Sequence, residues 1–88
     1  MANITKGQVK ARLKKILEEL SNQKMLLDEL KDEVENESQE IEPYEGKDFL
    51  TEQQEERQEW LEDTTSNLDE QIYSLEELIS NLEEITLG

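Results

Sequence analysis

The chain has 88 residues and a mass of 10.3 kDa, with 24 Asp and Glu against 9 Lys and Arg, giving a formal charge of −15 and neither His nor Cys. At 33% hydrophobic residues it has too little apolar material to enclose a large core and a deep substrate cavity together. The missing Cys and His remove thiolate nucleophiles, disulfides, zinc sites and the commonest general base near neutral pH, which argues against an enzyme; no cofactor and no metal site is expected. Strong acidity disfavours direct contact with nucleic acid or anionic lipid, and the apolar runs are too short to span a bilayer. The basic start, Met1 to Lys15, has no apolar stretch behind it of the kind a signal peptide needs. The expectation is a cytoplasmic protein whose partner is another protein, a basic one in particular.

High charge with few aromatics also describes disordered chains, and here the pattern decides against disorder. A capping box of Thr5 with Gln8, and Ile4 placed to staple onto Val9, predict a helix starting at about residue 6. With Leu13 as heptad position a, the a and d sites run Val9, Leu13, Ile16, Leu20, Gln23, Leu27, Leu30 and Val34, widened by Leu17 and Leu26. This helix is expected to run to about residue 37. Residues 38–50 hold the only proline, Pro43, and Gly46, and read as a hinge loop. Ile41, Tyr44 and Phe49 are expected to fold over the end of the bundle, the alternative being that this loop end binds a partner.

A second capping box, Thr51 with Gln54, opens a helix expected over about 51–86. Its stripe is Leu61, Thr65, Leu68, Ile72, Leu75, Ile79 and Leu82, with Leu78 and Ile85 thickening it at g. Residues 63–67 are poor helix formers, yet the heptad phase carries through them, so one continuous helix is predicted. Two long helices with a short hinge fold back as an antiparallel coiled-coil hairpin, an all-α fold and a single domain over 1–88. Charge supports that pairing. Residues 1–17 carry +5 and residues 18–88 carry −20; Lys10, Lys24 and Lys31 at e face Glu55, Glu62, Asp69, Glu76 and Glu83 at e of the second helix. The preferred register centres the turn near Tyr44, with Gln23 opposite Thr65 and with Leu13, Ile16, Leu20 and Leu27 opposite Leu75, Ile72, Leu68 and Leu61.

One seam is a small core for such a chain, and the apolar face formed by Leu68, Ile72, Leu75, Leu78, Ile79, Leu82 and Ile85 is wide for one neighbour. Self-association through those residues, as two hairpins in a four-helix bundle, is expected. Candidate partner-binding residues lie outside the seam: Trp60 at c, Tyr73 at b, and the f column Glu56, Asp63, Glu70, Glu77 and Glu84; Met25 at f of the first helix is a weaker one. The column reads either as a solvated, solubilising face or as a mimic of regularly spaced phosphates. Three roles follow: a protein-protein interaction module, an acidic inhibitor of a nucleic-acid-binding protein, or an assembly scaffold.

The segment Pro43-Tyr44-Glu45-Gly46-Lys47, through Leu50-Thr51 and Glu55-Glu56-Arg57 to Trp60-Leu61-Glu62, resembles small acidic helical-hairpin proteins of phages and mobile elements of Gram-positive bacteria. In overall acidity the chain is also similar to phage DNA-mimic inhibitors of restriction and CRISPR systems. The resemblance implies a host-directed protein and carries over no functional residue.

Overall fold

Thr5 and Thr51 each accept a hydrogen bond from a backbone N–H three residues on, and their own backbone N–H groups donate to the side-chain amide oxygens of Gln8 and Gln54. Both capping boxes are therefore complete, and they start the two helices of the computed structural model, which describes residues 3–88. The first, α1, spans Lys6–Gln39, and the second, α2, spans Glu52–Leu87. Helix α2 is unbroken through residues 63–67, where the Thr65 hydroxyl bonds back to the Leu61 carbonyl at 2.9 Å. The fold is all-α, an antiparallel hairpin with extents of 72 × 24 × 15 Å. No helix among the described residues is long and apolar enough to cross a membrane.

The hinge reverses the chain with one tight turn. The Lys47 N–H donates to the Tyr44 carbonyl at 2.9 Å, and Gly46 takes a φ of 81°, a left-handed conformation that disfavours other residues. The Gln54 amide donates to the Glu42 carbonyl at 2.9 Å and ties the hinge to the start of α2. Ile41 and Leu50 are half-buried, whereas Tyr44 and Phe49 point to solvent, Phe49 with 83% of its surface exposed. Of the three residues expected to cap the bundle end, only Ile41 does so.

The seam of α2 is the expected a and d stripe, with Leu61 and Ile72 buried and Leu68, Leu75, Ile79 and Leu82 half-buried. The seam of α1 is turned from its expected face. Leu13, Leu20, Leu27 and Val34 at a are half-buried, and their companions are the e residues Leu17, Lys24, Lys31 and the buried Ser38. The predicted d residues Ile16, Gln23 and Leu30 are exposed. Lysine explains the rotation, because its methylene stem covers apolar surface while its ammonium reaches the edge. Lys24 Nζ meets Glu76 and Lys31 Nζ meets Asp69, both at 3.0 Å. Turning the e column inward brings both ions into reach and gives up two contacts at d.

Register also departs from expectation, by one heptad. The Gln58 amide donates to the Ser38 carbonyl at 3.2 Å, and carrying that alignment along the seams sets Val34 level with Leu61, Leu27 with Leu68, Leu20 with Leu75 and Leu13 with Leu82. Gln23 does not oppose Thr65, and among the described residues Lys10 meets no acid across the seam: its Nζ donates to the Gly88 carbonyl at 3.3 Å. An Arg57–Glu37 ion pair closes the hinge end. A heptad repeat looks the same after a seven-residue slip, so hinge length and end contacts choose among registers that the seam pattern leaves equivalent.

Hydrogen bonding to Glu76 and then its charge raise the Lys24 pKa above the ordinary 10.5, and Asp69 does the same for Lys31. A group that binds its proton more tightly when folded stabilises the fold below its unfolded pKa and loses that contribution as the pH rises through the folded one. Thermal melts of the wild type and of Lys24→Gln/Lys31→Gln should therefore differ by a constant amount at neutral pH. The gap should shrink above pH 10.5 and close at higher pH.

Candidate functional site: the outer face of the second helix

With a and d of α2 turned toward α1, the f column points directly away from the seam. Glu56, Asp63, Glu70, Glu77 and Glu84 are all exposed there, and none takes part in an ion pair among the described residues. In the e column, Asp69 and Glu76 meet lysines of α1. From Trp60 onward every acid of α2 sits at e or f, as the adjacent pairs Glu62-Asp63, Asp69-Glu70, Glu76-Glu77 and Glu83-Glu84, and no basic residue occurs. The repeat places a pair every seven residues, about 10.5 Å along the axis. Spacing comparable to the Debye length of about 8–10 Å at moderate salt lets the fields of successive pairs overlap into one negative stripe.

Positions b, c and g carry no charge over the same stretch; c and g form a neutral shoulder on one side of the f ridge, while the b column on its other side runs between the e and f acids. Trp60, with 63% of its surface exposed, stands on the c shoulder and Tyr73, 65% exposed, in the b column. Thirteen residues of helix, about 20 Å, separate them. They flank the ridge on opposite sides and do not form one aromatic patch. Tyr73 borders a shallow depression with Glu76, Glu77 and Asn81. Met25 lies on the ion-pair flank, beside Lys24 and Glu76.

At the hinge end, Ile41, Tyr44, Gln54 and Arg57 line an open groove. Phe49 is the most exposed aromatic side chain of the molecule. A large aromatic in a loop points to packing by residue type, and a loop has no periodic signal to say otherwise. The division of α2 into charged and neutral columns was readable in the spacing of the acids, but which column meets α1 depends on the fold.

Five of the seven residues expected to mediate self-association, Leu68, Ile72, Leu75, Ile79 and Leu82, belong to the seam with α1. They are occupied within the hairpin. Leu78 and Ile85 at g remain exposed, because g lies beside the seam and not in it. No group of three or more acids among the described residues converges as a metal site would. Comparison with protein-family models, with curated proteins and with solved structures finds no match.

Proposed function

We propose that the protein is a non-enzymatic interaction module, an acidic helical rod that binds another protein along the outer face of α2. The observation that carries this reading is the f ridge of carboxylates without cations, beside a bare Trp60. Such a stripe attracts a basic surface from a distance and speeds encounter, while an exposed indole offers the large apolar contact in which binding energy concentrates. The resemblance of residues 43–62 to acidic proteins of phages and mobile elements makes a host protein the expected target.

A second reading, mimicry of nucleic acid, is favoured by the regularity of the ridge. One repeat of about 10.5 Å matches about three phosphate steps of 3.4 Å along a strand. The two readings differ in which side chains hold the partner. Tagged wild-type protein, Trp60→Ala/Tyr73→Ala, and Asp63→Lys/Glu70→Lys/Glu77→Lys are used to capture proteins from host cells, with helicity checked by circular dichroism. A partner held by the wild type and released by the aromatic variant supports the interaction module; retention by that variant counts against it. Release only by the lysine variant, with affinity falling steeply as salt rises, supports mimicry.

A further inference from the structure

The hairpin has a second unpartnered surface, apart from the ridge. Because the ion pairs Lys24–Glu76 and Lys31–Asp69 occupy the e flank, the d column of α1 and the g column of α2 share the opposite flank. That flank presents Ile16 and Leu30 from α1 and Leu78 and Ile85 from α2, each between 45% and 53% exposed, with Leu26 at its outer edge. On α2 it carries no charge from Thr64 to Ile85, in a chain of net charge −15.

We propose that a second copy of this chain covers this flank, its α1 antiparallel to the first α1 about a twofold axis passing near Gln23. Charge supports the choice of occupant and its direction. On α1 the flank is edged by Arg12, Lys15 and Glu19 toward the N-terminus and by Glu29 and Glu33 toward the C-terminus, and in the antiparallel arrangement Glu19 faces Leu26 and meets no charge. Antiparallel packing about Gln23 sets Arg12 opposite Glu33 and Lys15 opposite Glu29 of the second copy, with Ile16 opposite Leu30 and the two Gln23 amides facing each other. Every charged pair is opposite in sign. Parallel packing would align cations with cations and acids with acids. Packing α1 on the α2 of the second copy would set Arg12 and Lys15 against a neutral column. In the observed register the same axis meets α2 near Ile72, between Gln71 and Leu78 of its g column.

Area points the same way. The hairpin exposes 7301 Å². A compact monomer of its mass would expose about 5,400 Å². The excess exceeds the roughly 800 Å² that each partner buries in a standard specific interface, so one chain has surface enough to supply its half of a contact. The proposal stands apart from the partner reading, since the f ridge remains outside the contact and the assay needs only the purified protein.

Sedimentation equilibrium should give twice the 10.3 kDa chain mass at tens of micromolar. Leu30→Asp/Leu78→Asp should leave the helicity and weaken association at least about a hundredfold. Arg12→Glu should weaken it and Glu33→Arg in the same chain should restore it. The chain has no cysteine of its own, so Gln23→Cys should oxidise readily to a covalent dimer while Met25→Cys, on the other flank, should not. A monomer at that concentration, an open series of larger species, or equal cross-linking of the two cysteine variants overturns the proposal.

Discussion

Replacing Ile72 or Leu61 by alanine is expected to unfold most of the protein at 25 °C, whereas Met25→Ala leaves it folded. Among the described residues these two are the only buried apolar side chains, with 6% and 7% of their surfaces exposed, and Met25 is 61% exposed. Removing a buried Leu or Ile down to alanine costs about 2–5 kcal/mol, through lost transfer energy and the cavity left behind. A single small core of this kind supplies only about 3–5 kcal/mol in all. Either substitution therefore consumes most of what holds the helices together. Isolated helices of this acidity do not compensate, because the chain has few intrahelical cations left to offset its repulsions. Helicity at 222 nm and urea titrations at fixed protein concentration measure the effect. A loss below about 1 kcal/mol at both sites would mean that stability resides elsewhere than in the α1–α2 seam.

Ile72 also marks how far the seam was legible. Both capping boxes and the hinge could be read from residue types, and the helix ends lie within two residues of the expected ones. The a and d stripe of α2 is correct because its alternative faces are charged or neutral, leaving one apolar face. Helix α1 offers apolar residues at a, d and e together, Ile16 and Leu17 being neighbours, so periodicity alone leaves its facing angle open by tens of degrees. The choice is made by Lys24 and Lys31, which count as polar in any pattern yet pack their stems into the seam. Of the binding candidates, the f ridge lies where its phase places it, while Trp60 and Tyr73 at c and b face different ways. A wheel already places both outside the seam and on opposite sides of f; what the fold adds is that both stay exposed.

Charge exchange across the seam should distinguish the observed register from its one-heptad neighbours. Lys24→Glu places a carboxylate beside Glu76, and Lys31→Glu places one beside Asp69, where each wild-type ammonium now sits at 3.0 Å from its acid. The double variant turns two attractions into two repulsions on the flank that orders the hairpin, and it raises an already large negative charge. A fall in melting temperature of roughly 10 °C or more is expected for a chain of this size. The repair is specific. Adding Glu76→Lys to Lys24→Glu restores the pair with reversed sign, and Asp69→Lys does the same for Lys31→Glu. Asp69→Lys added to Lys24→Glu should not, because the two residues stand a heptad out of step. In a hairpin centred on Tyr44 the matched partners would differ by seven residues, so recovery by the mismatched combination would reject the register described above. Each recovery also depends on salt, since partly exposed ion pairs are screened. Melting temperatures of matched and mismatched variants should converge as salt increases, while a change caused by packing alone would persist.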